Sequence, residues 1–272
     1  MGAFLDAERE RQASLKAASP YFSDAARADG IYKGKPRPFC LPQDLAAQNL
    51  FSDIREQVVR YFADAAIGWH DGQRGKPSNH LCDSQVCCVN FLFPFAHEPR
   101  ALAELLRPLF PTLRDMLPIE RGQYVSCEWI GERNYLGERV PHNGARTRGA
   151  NVTSADAAVM LAHSTGERQI VLIEWKYTES YSSAPLAVAR SGTDRTAIYA
   201  PLYRRADFPL RKDLLASFEA LFYEPFYQLL RQQCLAHEME RAHELETQPE
   251  TPSSEFVGDD SSSASCFQHP NG

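Results

Sequence analysis

Two segments of the chain carry acidic and basic side chains where predicted strands meet polar loops. In the segment 169–177 (QIVLIEWKY), side chains alternate between two faces, so Glu174 and Lys176 project together from the end of an otherwise apolar strand. Asp156 opens the preceding predicted strand, 156–163 (DAAVMLAH). Because a short polar link joins the two segments, we predict an antiparallel pair with Asp156 and Glu174 at the same end of the sheet.

Two carboxylates and a lysine at one sheet end are suited to a hard divalent cation and a phosphate substrate. Mg²⁺ takes oxygen ligands and retains several waters, so Asp156 and Glu174 would suffice together with the substrate. Such a cation acidifies water and neutralises charge on phosphate oxygens, while Lys176 would orient the water or offset that charge. The pattern predicts phosphodiester hydrolysis with Mg²⁺ or Mn²⁺ as cofactor. A surface Glu–Lys pair is the alternative, because Glu-x-Lys is short and recurs by chance.

The polar loop before Asp156 supplies further candidates for the same site. Glu138 is either an additional metal ligand or a solvated loop residue. Arg146 and Arg148 either bind phosphate beside Asp156 or are exposed loop charges. The sequence alone leaves both interpretations open for all three residues.

A predicted C-terminal helix carries a polar face that would suit the wall of a cleft. Gln228, Arg231 and Gln232 follow one another at i, i+3 and i+4, so they share that face. They are candidates for contacting nucleic acid, and the alternative is an ordinary solvent-exposed face.

The cysteines offer a competing hypothesis. Cys82, Cys87 and Cys88 lie near His80, which raises the possibility of a thiol-dependent or zinc-structured protein. Their spacing is not Cys-x-x-Cys, and adjacent cysteines rarely both bind one tetrahedral ion. Buried, free thiols are the favoured interpretation, and metal analysis of the purified protein distinguishes the two.

The elements around the candidate site indicate an α/β domain with a small mixed β-sheet flanked by helices and an N-terminal helical region. Apolar positions at helical spacing or in short β-branched runs mark these elements. Helices are predicted over 3–18, 44–67, 80–95, 99–116 and 212–245, and strands over 123–130, 156–163 and 169–177. Pro108 and Pro111 break the helix 99–116, and Pro225 either splits 212–245 into two helices or lies in the first turn of the second. Residues 28–43 and 178–211 are predicted to be loop or irregular.

The net charge of −6 at first argues against a nucleic-acid substrate. However, the tail 246–272 carries five acidic residues and no lysine or arginine, so residues 1–245 have a net charge of only −1. The Ser- and Pro-rich composition of this tail predicts disorder. Most of the net negative charge therefore lies in the tail, and the charge of residues 1–245 is compatible with DNA binding.

Several classes of protein do not fit the sequence. It has no apolar run of about 20 residues and no signal-peptide pattern at its start, so we expect a cytoplasmic protein without membrane association. Walker, GxGxxG, HExxH and GxSxG motifs are absent, which disfavours nucleotide-driven, dinucleotide-dependent, zinc-protease and esterase chemistry.

The segment 148–181 (RGANVTSADAAVMLAHSTGERQIVLIEWKYTESY) resembles the signature of the PD-(D/E)xK nuclease superfamily, and in particular its bacterial restriction-endonuclease group. Segments 80–95, 126–138 and 222–242 add to the resemblance. The resemblance implies a restriction-endonuclease-like core with Asp156 and Glu174 as the acids and Lys176 as the lysine. It also implies a DNA substrate, a role in bacterial defence and, by analogy with duplex-cutting members, a homodimer. Ala155 replaces the proline that often precedes the first acid.

Composition and the resemblance together divide the chain into an N-terminal helix and linker (1–43), a nuclease-like domain (44–245) and the acidic tail (246–272). The superfamily core continues with a strand after its second helix, but the sequence after 245 contains nothing that resembles a buried strand. This departure favours, as the alternative function, a nucleic-acid-binding protein of the same fold that does not cut. An RNA nuclease is a weaker option, because no aromatic RNA-binding pattern is present.

Overall fold

The computed structural model describes residues 2–138, 144–150, 152–179, 181, 183–189 and 191–244, and the predicted tail lies outside them. The α-helices in this part are α1 (Ala3–Ala18), α2 (Arg55–Asp64), α3 (Ser84–Leu92), α4 (Pro99–Leu106), α5 (Thr196–Arg204) and α6 (Phe226–Arg241). The strands are β1 (Gly30–Tyr32), β2 (Lys35–Arg37), β3 (Leu113–Leu117), β4 (Ser126–Trp129), β5 (Ala155–His163) and β6 (Arg168–Ile173). The predicted α/β class is confirmed.

The main sheet is built around β5, whose residues from 157 to 162 are buried. β3 and β4 lie end to end along one edge of β5, and β6 lies along the other edge. All of these pairs are antiparallel, which corrects the expectation of a mixed sheet. The physical reason is that β6 returns from β5 through a tight turn, whereas a parallel neighbour needs a long crossover connection.

Helices cover both faces of this sheet, and the alternation of side chains along the strands decides which face each residue meets. Val159 and Leu161 of β5 point into a core formed with α2, α3 and α4. Ala158 and Met160 point into a second core formed with α5 and α6. β6 follows the same rule, with Val171 in the first core and Leu172 in the second. Glu174 therefore belongs to the face of α6, as the alternation predicted.

Several predicted elements differ from the structure. In the segment 28–43, predicted to be a loop, β1 and β2 form a hairpin. In the described part of 212–245, predicted to be helical, only Phe226–Arg241 is α-helix, and two short 3₁₀ helices precede it. The segment 44–67 contains a 3₁₀ helix (Gln43–Asn49) followed by α2 instead of one long helix. The segment 99–116 becomes α4 and then β3, because Pro108 and Pro111 follow the helix and stop its continuation. Within the segment predicted to be irregular, α5 forms despite its internal Pro201, since Tyr199 is buried in the second core and tertiary packing outweighs local propensity.

The N-terminal helix is attached to the segment that follows β6. Tyr177 donates a hydrogen bond from its hydroxyl to Oε2 of Glu8 (2.6 Å) and accepts one from Nε2 of Gln12 (2.9 Å). Lys16 is buried and donates to the carbonyl oxygens of Ala28 and Cys40, both at 2.9 Å. No helix in the described ranges has the length and apolar character needed to cross a membrane.

Candidate functional site

The register of β5 and β6 brings Asp156 and Glu174 together. The last paired residues are Ala157 and Ile173, so Asp156 and Glu174 are the next opposite positions along the two antiparallel strands. Side chains at such positions have Cβ atoms about 5 Å apart. The backbone N–H of Trp175 donates to Oδ2 of Asp156 at 2.6 Å, which holds the two strand ends together where the paired strands stop.

Glu174 is positioned by two donors, one on each carboxylate oxygen. Nζ of Lys176 lies 2.7 Å from Oε1, and Nε2 of Gln232 donates to Oε2 at 2.9 Å. Gln232, on α6, also donates to the carbonyl oxygen of Ser154 at 2.7 Å, and it thereby links the helix to both strand ends. The predicted acids, the lysine and one of the predicted helix-face residues thus meet at one place.

The electrostatics of this group show an excess of negative charge. Burial is the largest cause that raises the pKa of Asp156, to about 7, and the charge of Glu174 adds to it. The N–H of Trp175 and the charge of Lys176 act in the opposite direction. Burial also lowers the pKa of Lys176, but its hydrogen bond and ion pair with Glu174 outweigh this and raise the pKa above its ordinary value. The lysine is therefore cationic at neutral pH, and one further cation would be stabilised here.

The donor set fits an oxygen-preferring divalent cation such as Mg²⁺ or Mn²⁺ better than zinc or copper. Both acids offer carboxylate oxygens, and each Glu174 oxygen keeps accepting capacity beyond its single donor. In the described part of the chain, no group of three or more His, Cys, Asp and Glu side chains is placed to hold a metal ion. A cation at Asp156 and Glu174 would need water and substrate for its remaining ligands, which is the usual coordination of Mg²⁺.

An open cleft of about 700 Å³ contains this group, and residues from both helical layers line it. Asp156, Glu174 and Lys176 contribute from the sheet, and Gln228 and Arg231 contribute from α6. Nε of Arg231 donates to Oγ1 of Thr153 at 2.9 Å, and its guanidinium lies over the ring of Tyr227, 5.7 Å from the ring centre. The structure thus brings the predicted α6 residues to the same cleft as the acids.

Glu128 is a cleft residue that the sequence analysis missed. It lies on β4 between the residues that pair with Ala155 and Ala157, so it occupies the position opposite Asp156. Its side chain accepts from Nε2 of Gln85 (2.7 Å) and from Oγ of Ser154 (2.6 Å), and it is 7% exposed. Its φ of +50° is rare in a strand residue. A carboxylate inside a short, otherwise buried strand was the signal that could have identified it.

The structure does not bring Arg146, Arg148 or Glu138 to the cleft wall. Arg146 donates to four backbone carbonyls, those of residues 130–133. The Arg148 side chain pairs with Glu120 at 2.6 Å and also donates to the hydroxyl of Tyr61 at 2.9 Å. Both oxygens of Glu138 accept from Thr153, at 2.6 and 2.7 Å. These three side chains hold loops in place, and their predicted site roles gain no support from this geometry.

The cysteine side chains near His80 do not have the features of a zinc site. Burial raises the pKa of Cys82 to about 11 and is the largest cause raising the pKa of Cys87, so both favour the neutral thiol over the thiolate that zinc requires. Nδ1 of His80 accepts a hydrogen bond from the backbone N–H of Cys82 at 3.0 Å. Within the described residues, these groups form no cluster of metal-binding side chains.

The fold and cleft define an α/β protein with two carboxylates, a lysine and a glutamine close together at one end of the sheet. A family described as restriction endonuclease associating with ARP matches residues 9–257, and the chain belongs to this family. Membership indicates a nuclease or defence role. No curated protein and no solved structure matches the chain.

Proposed function

We propose that this protein is a Mg²⁺- or Mn²⁺-dependent endonuclease of the PD-(D/E)xK type that hydrolyses DNA phosphodiester bonds in a restriction or defence role. One observation carries the proposal: Asp156 and Glu174 face each other at the strand ends, with Lys176 2.7 Å from Glu174, inside an open cleft. The family to which the chain belongs supports it.

The chain's own residues have distinct tasks in this proposal. Asp156 and Glu174 would hold the cation, which when bound acidifies water and neutralises phosphate charge. Lys176 is cationic, and its remaining N–H groups are available to phosphate oxygens in the cleft. Gln232 keeps the Glu174 carboxylate in one orientation, and Arg231 adds a positive charge to the same wall.

The partners of the protein form part of the same proposal. The substrate is DNA, because the family is one of restriction endonucleases, and the nearly balanced charge of residues 1–245 is compatible with it. The family description names association with ARP, and we propose a corresponding partner for this chain. A homodimer and a cytoplasmic location are the expectations carried forward from the sequence.

The direct test is incubation of the purified chain with supercoiled and linear duplex DNA in Mg²⁺, in Mn²⁺ and in EDTA. We expect nicking or linearisation with either cation and intact DNA in EDTA. Cleavage that persists in EDTA would contradict the metal dependence. DNA binding without cleavage under all conditions would support the non-cutting alternative, and cleavage confined to an RNA substrate would replace DNA with RNA.

Gln232→Ala should reduce DNA cleavage by about 10- to 100-fold, the usual effect of removing a group that orients a metal ligand. The substitution removes the donor to Oε2 of Glu174 and the link to Ser154, so the carboxylate loses its fixed orientation. The measurement is the single-turnover cleavage rate with Mg²⁺, together with DNA affinity in EDTA, which should be unchanged. Gln233→Ala, at the exposed neighbouring position, is the matched control. Equal rates for both variants would contradict the role of Gln232.

A further inference from the structure

Two tight turns near the cleft have the same backbone conformation and carry basic residues. In the β1–β2 hairpin, Tyr32 pairs with Lys35, and the two residues between them, Lys33 and Gly34, have φ values of +48° and +74°. Positive φ at both central residues defines a type I′ turn. Lys33 therefore lies at the tip of the hairpin.

The second turn repeats this arrangement about 40 residues later in the chain. Gln73 and Lys76 form an antiparallel bridge, and Arg74 and Gly75 between them have φ values of +54° and +73°. The backbone N–H of Lys76 donates to the carbonyl oxygen of Gln73 at 3.0 Å and closes the turn. Arg74 thus occupies the position in this turn that Lys33 occupies in the first.

A hydrogen bond joins the two turns at the margin of the cleft. The hydroxyl of Tyr32 donates to Oδ2 of Asp71 at 2.7 Å. Tyr32, Lys33 and Asp71 all line the cleft that contains Asp156 and Glu174. We call the two turns, with Lys33, Lys35, Arg74 and Lys76, the basic rim.

The charge of the basic rim contrasts with that of the cleft. Residues 30–37 contain three basic residues and residues 72–76 contain two, and neither segment contains an acidic residue. Lys33, Lys35, Arg74 and Lys76 are exposed. Within the described residues, neither Lys33 nor Arg74 forms a salt bridge with a carboxylate, and the Lys33 ammonium lies over the ring of Tyr32, 5.0 Å from its centre. The cleft itself is lined by six acidic side chains and four lysines or arginines, so it carries an excess of acids that opposes the approach of a polyanion.

We propose that the basic rim binds the phosphate backbone of duplex DNA and holds the DNA against the cleft. The phosphates that it contacts lie away from the bond to be cut. This inference rests on the proposed nuclease function and extends it to a specific surface. Phosphate contacts from Lys and Arg supply most of the sequence-independent affinity for DNA, and they set its position on the protein. A cleft with an excess of acids needs such contacts outside it, and the two joined turns place cations at its margin.

The test is the double variant Lys33→Asn/Arg74→Asn, with duplex DNA binding measured in EDTA at several salt concentrations. Asparagine followed by glycine is favoured in type I′ turns, so the backbone is retained while two charges are removed. We expect the slope of log affinity against log salt to fall by about 2, and the affinity near 0.1 M salt to fall roughly 50-fold. Arg60→Gln/Arg100→Gln, which removes two exposed charges from α2 and α4, is the matched control and should have little effect.

The results of this binding test distinguish a failure of the basic rim from a failure of the proposed nuclease function. If the wild-type chain binds duplex DNA and the Asn variant binds it with equal affinity and slope, the basic rim is overturned and the nuclease proposal stands. If the wild-type chain does not bind duplex DNA, both fail. Thermal unfolding checks that the Asn variant is folded. Lys35→Gln/Lys76→Gln, outside the positive-φ positions, should weaken binding in the same way. If the Asn variant is unfolded, unchanged binding by this second variant overturns the proposal.

Discussion

Glu174→Gln is expected to reduce metal-dependent DNA cleavage by about a thousandfold or more. The carboxylate lies opposite Asp156, and it is the ion-pair partner of Lys176 at 2.7 Å. The amide removes the negative charge that would hold a cation and that keeps the pKa of Lys176 raised. Loss of a cation that stabilises developing charge costs several kcal/mol in the transition state, which corresponds to this factor. The measurement is the single-turnover rate with Mg²⁺ and supercoiled DNA.

Two companion variants distinguish a chemical effect from a structural one. Glu167→Gln makes the same change at the exposed turn between β5 and β6, at the opposite end of the strands, and should cleave at the wild-type rate. Lys176→Met should lose cleavage to a similar extent as Glu174→Gln. Thermal unfolding should show that all three variants are folded. Wild-type cleavage by the double variant Glu174→Gln/Lys176→Met would refute the assignment of this site.

Arg148→Ala is expected to destabilise the protein by about 3–4 kcal/mol, which lowers the melting temperature by roughly 10 °C. The Arg148 side chain is 11% exposed, and its guanidinium pairs with the Glu120 carboxylate at 2.6 Å. It also donates to the hydroxyl of Tyr61 and to Oγ of Ser126, both at 2.9 Å. Removing the side chain leaves the half-buried Glu120 carboxylate without its cation and several polar atoms without a donor. The resulting loss of stability is larger than the loss from the ion pair alone. Urea unfolding measures the change.

The matched control is Arg114→Ala. Arg114 pairs with Asp115 at 2.7 Å, but both side chains are more than half exposed, so the expected loss is below about 1 kcal/mol. Arg148→Met/Glu120→Gln should recover part of the loss, because it removes the uncompensated charge. Equal stability of Arg148→Ala and wild type would show that Arg148 is free to act elsewhere, as a residue that binds phosphate.

The contribution of the Arg148–Glu120 pair to the stability of the fold depends on pH, and the pKa of Glu120 sets the direction of this dependence. Burial raises the pKa of Glu120, but the hydrogen bond and charge of Arg148 outweigh burial, so the pKa lies below its ordinary value. A carboxyl group with a lowered pKa stabilises the fold above its unfolded pKa, near 4.5, and loses this contribution as the pH falls through the folded value. The stability difference between wild type and Arg148→Ala should therefore narrow below about pH 4.

Much of the site could be predicted because strand geometry is periodic. Alternation along 169–177 placed Glu174 and Lys176 on one face, and the short link to 156–163 implied the antiparallel register that sets Asp156 opposite Glu174. The shared face of Gln228, Arg231 and Gln232 on α6 follows from helical spacing in the same way. These relations depend on neighbours within one element or across one turn, and such neighbours are visible in the order of residues.

The sequence by itself thus determined the α/β class and the local grouping of the two acids, the lysine and the α6 face. Only the tertiary structure decided which charged loop residues reach the cleft. Arg148 pairs with Glu120, 28 residues away, and Glu128 meets Gln85, 43 residues away. Likewise, the turns at Lys33 and Arg74 are joined by Tyr32 and Asp71, 39 residues apart. Such contacts arise from the packing of whole layers of helices and strands. The sequence alone does not distinguish a charged residue that becomes buried from one that stays exposed, because its partner is distant in the chain.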